Sequence, residues 1–251
     1  MTAAATAITT TTTTMTSTST ITTMVETDGE AARILALMLA WFSPALPIGA
    51  FSYSHGLERL CEDGAIDDRA SAEAAIRAAL TAGSGWSDAV LLCAAYRAAA
   101  AGDRTAFEEA AELALALQPS RERYEESVRQ GTAFLAITDA VWPGQTMRGA
   151  EEEAALPIAV ALAGAAHAVP LAPLCNGFLN AFAANLVSAV VRLVPLGQTD
   201  GQRLTRDLAP AAAETARRST AADIADVGGM ALGLDVASMR HEYQHVRLFR
   251  S

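Results

Sequence analysis

No lysine occurs in this 251-residue chain; all 18 of its Lys and Arg positions are arginine. Nucleotide-composition bias in the source genome explains such a skew, yet the absence has chemical force. Without lysine there is no Walker A phosphate grip, no Schiff base and no pyridoxal anchor. If nucleotide hydrolysis matters to this protein, a partner performs it. Cysteine is scarce as well. Cys61, Cys93 and Cys175 stand far apart and never form C-x-x-C, which argues against a disulfide framework or a cysteine zinc site and for a reducing compartment. Each sits among apolar residues as a small core filler. No basic run exceeds Arg217-Arg218 and the formal net charge is −10, so a nucleic-acid surface, which needs clustered positive charge, is excluded. The first 28 residues have neither a basic n-region nor a continuous apolar h-region, so they do not read as a secretory signal. No stretch alternates apolar and polar residues with period two.

What is present is alanine, within a composition that is 51% hydrophobic and only 6% aromatic. Alanine is the best helix former and a poor strand former. The expected fold is all-α: a single-domain helical bundle of about eight to ten helices around an apolar central helix. Residues 1–29 form a threonine-rich tail with nothing to bury and are expected to be disordered; residues 30–251 form the helical domain. Its first helix, "ARILALMLAWF", stops at Ser43-Pro44. Asp67 or Asp68 caps a helix reaching Thr81. "GSGWSD" breaks the chain and Ser87 or Asp88 starts the next helix. Gly102-Asp103 and Pro119-Ser120 open two more, and Pro157 suits a first-turn position. The longest apolar run, "LAPLCNGFLNAFAANLVSAVVRLVPL", carries no charge from Leu171 to Val191. It is long enough to raise the question of a membrane span. Asn176, Asn180, Asn185 and the lack of an aromatic belt favour a central helix surrounded by the others. Helices near Arg203–Arg218 and Ala221–Val227 follow.

Three short patterns invite chemistry. "HEYQH" (His241–His245) spells the H-E-x-x-H zinc motif: on a helix both imidazoles reach one metal and Glu242 polarises a water. A hydrolytic site needs a third ligand, and the "VRLFRS" that follows offers no side-chain ligand. A zinc peptidase stays as the alternative reading. "SYSHG" (Ser52–Gly56) falls one glycine short of a nucleophile elbow and lacks the preceding strand; a tight loop with a serine hydroxyl capping "GLERL" is the structural alternative. "GQTDGQ" (Gly197–Gln202) lacks the lysine and strand of a phosphate loop, and reads as a loop whose Thr199 or Asp200 caps the next helix. What remains are polar, glycine-marked segments on a helical body. The end, "RLFRS", suits either a segment that orders on a partner or one whose Leu248 and Phe249 dock on the chain's own core.

"SPALPIGAFSYSHGLE" (Ser43–Glu58), "PLGQTDGQRL" (Pro195–Leu204) and "RHEYQHVRLFRS" (Arg240–Ser251) resemble three stretches of the urease accessory protein UreF family. "RERYEESVRQG" (Arg121–Gly131) matches more loosely. In that family the tail is similar to H-E-x-Q-Y-x-R-L-F-R-S, so His245 stands where an aromatic residue is usual. The resemblance implies an all-helical, non-enzymatic, homodimeric and cytoplasmic assembly factor with no membrane span. It implies bridging of a UreD-type (also called UreH) accessory protein and a UreG-type GTPase, modulation of that GTPase, and delivery of nickel to apo-urease. Nickel and GTP are then handled by the assembled complex, with no cofactor of this chain's own. His241 and His245 could bind nickel in passing, though metal passing elsewhere in the complex is favoured on ligand count. By the motif match, Gly49, Ser52 and Tyr53 belong to one partner-binding loop and Gln198, Gly201 and Gln202 to a second. Arg240, His241, Glu242, Gln244, Arg247, Leu248, Phe249, Arg250 and Ser251 form a tail, about residues 239–251, that orders against the UreD-type partner.

Overall fold

The structure, a computed structural model, describes residues 17–144 and 153–251, with side chains from residue 29 onward. Among the described residues it contains ten α-helices, two short 3-10 turns and no strand, so the fold is all-α as composition requires. The chain divides into two compact units, Met1–Leu39 and Ala40–Ser251. In the first, α1 (Ser17–Trp41) begins inside the threonine tract, part of the segment expected to be disordered. β-Branched residues lower helix propensity only modestly, and an apolar helix once nucleated propagates through them. Residues 1–16 of that expectation lie outside the described residues.

The second unit carries α2 (Leu57–Glu62), α3 (Arg69–Ala82), α4 (Ser84–Ala101), α5 (Arg104–Ala116), α6 (Arg121–Val141), α7 (Leu156–Ala166), α8 (Leu171–Leu193), α9 (Gln198–Ser219) and α10 (Leu232–His241). Side-chain caps set three starts as read from sequence. Asp68 accepts from Ser71 N at α3, Asp103 from Ala106 N at α5, and Ser120 from Arg123 N at α6; each satisfies an orphan amide of the first turn. Other boundaries differ. Only Gly83 separates α3 from α4, so Asp88 lies buried inside α4 rather than capping it. Gln198, not the region of Arg203, opens α9. The helix expected over Ala221–Val227 is a single 3-10 turn at Ile224–Asp226.

Leu57, Ile66, Ile76, Leu186, Val190, Leu204 and Leu208 build one core where α2, α3, α8 and α9 meet. The helix sealed on all sides is not α8 but α7, whose residues Pro157 to Gly164 are all buried. Asn176 and Ser188 mark the solvent edge of α8, whereas "PIAVALAG" has no polar side chain to turn outward. By length and composition α8 could cross a membrane, and half of its apolar stretch is buried within the protein.

Candidate partner-binding site

Chain geometry around "SYSHG" decides where the C-terminal tail lies. His55 and Gly56 have φ of 55° and 79°, left-handed values that are strained for histidine and free for glycine. A Cβ on Gly56 would lie 2.7 Å from the Ser238 nitrogen, so glycine alone lets the start of α2 abut α10. The tail then pairs with the loop. Arg250 N donates to Ser52 O at 2.9 Å and Ser54 N to Ser251 O at 2.9 Å, and the Ser54 hydroxyl donates to the same oxygen. Arg192, at the end of α8, donates to Phe51 O at 2.8 Å and stacks over the Phe249 ring at 4.3 Å.

Two carboxylates hold the tail from below. Glu58 accepts Leu248 N at 2.6 Å on one oxygen and Phe249 N at 2.9 Å on the other. His241, fully buried, lies between Glu58 and the second acid, Glu122: its Nε2 is 3.1 Å from Glu58 Oε2 and its Nδ1 2.6 Å from Glu122 Oε2. Glu122 also receives Arg247 at 2.5 Å. Glu242 accepts Arg121 N at 2.8 Å, placing an anion at the positive end of α6. Arg240 pairs with Asp63 at 2.6 Å on the surface, where such a pair adds little.

Beneath this layer lies a buried ion cluster. Glu126 faces His55 Nε2 at 2.8 Å and accepts from Gln130 Nε2 at 2.9 Å, from Ser251 Oγ at 2.8 Å and from Arg123. Burial works to raise its carboxyl, but the Arg123 guanidinium and His55 outweigh burial and hold it at about 2. Burial, and then Arg123, push His55 down, and its Nδ1 has no hydrogen-bond partner among the described residues. On α4, burial raises the Asp88 carboxyl to about 6; Arg123 opposes the rise and Glu126 adds to it.

Helix α10 is built the wrong way round for a core helix. Inward it turns Ala237, Ser238 and His241, and Ser238 Oγ meets Ser120 Oγ at 2.7 Å. Outward it turns Leu232, Val236 and Met239, 67%, 51% and 45% exposed, and Tyr243 follows at 83%. These fall at steps of four, three and four residues, so the first three share one helix face. In the tail that follows, Val246 and Leu248 are exposed as well. Single exposed apolar side chains are ordinary; a contiguous row marks an interaction surface.

The sequence-predicted residues therefore separate. Ser52, Tyr53 and the tail come together, while Tyr53, His241, Gln244, Phe249 and Ser251 are buried in this chain. The tail is docked on its own body, because Glu58 and Glu122 satisfy its amides and charges. Arg247, Leu248 and Arg250 are exposed and Glu242 is half-buried. Gly49 takes φ 75° before the 3-10 turn Ala50–Ser52. "GQTDGQ" is no loop: Gly201 lies in the first turn of α9, where a Cβ would meet Val191 of α8 at 2.9 Å. Gln198 and Gln202 are exposed there. The zinc motif is not formed either. Helix α10 ends at His241, so His241 and His245 share no helix face, and both nitrogens of His241 are committed to carboxylates. Sequence reasoning missed Glu58, Glu122, Arg123 and Glu126. Glu122, Glu126 and Gln130 recur at four-residue steps on α6, a polar line on a helix that must bury that face, which was the available signal.

Comparison with known proteins places the chain among relatives. A family model described as UreF matches residues 66–209. The chain is 45% identical over 224 residues to the urease accessory protein UreF of Rhodopseudomonas palustris (strain BisA53), covering 88% of this chain and 94% of that protein. It is 46% identical over 229 residues to the protein of that name from Bradyrhizobium sp. (strain ORS 278), covering 89% and 94%. The chain belongs to the UreF family of urease accessory proteins and is an accessory factor rather than an enzyme.

Proposed function

We propose that this chain bridges a UreD-type (UreH) accessory protein and a UreG-type GTPase in the cytoplasm, as a homodimer, so that the assembled complex delivers nickel to apo-urease and modulates the GTPase. The observation that carries the reading is the apolar row of Leu232, Val236 and Met239, left open on a helix whose inner face is mostly small and polar, with Tyr243, Val246 and Leu248 exposed in the tail that follows. Burying one such side chain contributes about 1.5–3 kcal/mol, so covering the row supplies a central apolar patch of the kind that stable interfaces use. The UreD-type protein is assigned to this row. Exposed Gln198 and Gln202 on α9, with Gly49 and Ser52, remain for the second partner. GTP and nickel belong to the partners, in keeping with a chain that has no lysine.

Co-expression with a UreD-type protein tests the reading. Val236→Glu with Met239→Glu changes only exposed positions, so the melting temperature should stay within about 2 °C of wild type. Capture of the partner should fall about a hundredfold or more. Undiminished capture by this variant would remove the row from the interface.

A further inference from the structure

The outward row is held in place by groups that never reach the surface it presents. Helix α10 inserts one large apolar side chain, Leu234, into the neighbouring core, so burial alone fixes it weakly. Its orientation rests on polar contacts instead: Glu58 on His241 and on the amides of Leu248 and Phe249, Glu122 on His241 and Arg247, and Ser120 on Ser238. Glu58 is 7% exposed and lies under the tail, so it cannot meet a protein seated on Val236 and Met239.

We infer that Glu58 and Glu122 are positioning residues for partner capture, a two-carboxylate clamp that sets α10 and the tail so that Leu232, Val236 and Met239 face outward with the exposed tail side chains held beyond them. The inference rests on the reading above for what the row binds. The clamp itself is a property of this chain. Removing Glu58 leaves two tail amides without an acceptor and takes one partner from the buried His241 ring. Such groups are satisfied again when the segment opens to water, so the docked state of α10 and the tail loses population to an open one. A partner that needs the docked state then binds more weakly in proportion to the fraction remaining.

Two measurements test this. Hydrogen exchange on the full chain, with no partner present, should show Leu248 and Phe249 amides protected in the wild type and exchanging about tenfold or more faster in Glu58→Ala, with core amides of α7 unchanged. Equal exchange in the two proteins overturns the clamp. Capture of a co-expressed UreD-type protein should fall about tenfold or more in Glu58→Ala and recover when α10 is tethered in that background. Ser120→Cys with Ser238→Cys supplies the tether, because the two hydroxyl oxygens already lie 2.7 Å apart; thiol titration first establishes that the pair has oxidised. Lost capture that a formed tether does not restore shows that Glu58 acts by another route and overturns the assignment. If Glu58→Ala fails to fold, Glu58→Gln keeps one acceptor and should give the same pattern at smaller amplitude. Failure of wild-type capture would count against the partner named above, while the exchange result would still decide the clamp.

Discussion

Glu126→Gln should unfold about 3 kcal/mol more easily than the wild type at neutral pH. The carboxyl falls from 4.5 to about 2 on folding, and each pH unit corresponds to about 1.4 kcal/mol. Charge is the reason. Glu126 is buried with Arg123 beside it and receives hydrogen bonds from Gln130 and Ser251. Glutamine keeps the volume but takes away the guanidinium's bonded counter-charge, leaving only the fields of Asp88 and the half-buried Asp235, and breaking a buried pair in this way is strongly destabilising. A carboxyl whose folded pKa is depressed contributes its stability in full above the unfolded value and loses it as pH falls through the folded one. The difference between wild type and variant should thus be complete above about pH 4.5 and shrink toward pH 2. Urea unfolding at pH 7 and at pH 3 reads both points, and equal midpoints at pH 7 would contradict the ion-pair account.

Asp88→Asn should act in the opposite sense and stabilise the protein by about 2–3 kcal/mol at pH 7.5. Burial lifts this carboxyl from 3.8 to about 6, so the folded chain retains a proton that the unfolded chain has released. Stability associated with that proton is present below 3.8 and is lost as pH rises through 6; above that the charged, desolvated carboxylate opposes folding. Asparagine has no charge to desolvate. Thermal melts should show the variant roughly 5–10 °C higher at pH 7.5, with the gap closing toward pH 4. The two sites share Arg123 and must couple. In a Glu126→Gln background Asp88 becomes the fully buried counter-charge that remains, with Asp235 half-buried beyond it, so Asp88→Asn should change sign and destabilise. Additive effects across that cycle would separate the two carboxylates.

Local rules made much of the fold legible. Asp68, Asp103 and Ser120 cap helices where short polar residues precede apolar periodicity, because capping depends on neighbours three residues away. Such rules mislead where tertiary packing decides. Gly197 and Gly201 read as loop glycines, yet Gly201 is a small residue that lets α9 close on Val191. Asparagines on α8 look tolerable inside a bundle, but they mark its wet side, and the featureless α7 takes the centre. Helix α10 escaped the amphipathic pattern because its apolar face points out. A partner's contribution to burial is not written in a single chain. Glu58 was beyond local reading, since the amides it accepts lie 190 and 191 residues away. The resemblance placed the tail among binding segments, and the structure divides it into buried residues, Gln244, Phe249 and Ser251 among them, and exposed ones.

The account rests on α10 and the tail offering a pre-set apolar row to another protein. Hydrogen-exchange footprinting of the full chain, alone and in complex with a UreD-type protein, addresses that claim most directly. New protection should concentrate over residues 232–248, while the amides of Leu248 and Phe249 are already slowed in the free chain. Protection gained only elsewhere, with 232–248 exchanging at its free rate inside a stable complex, would contradict it.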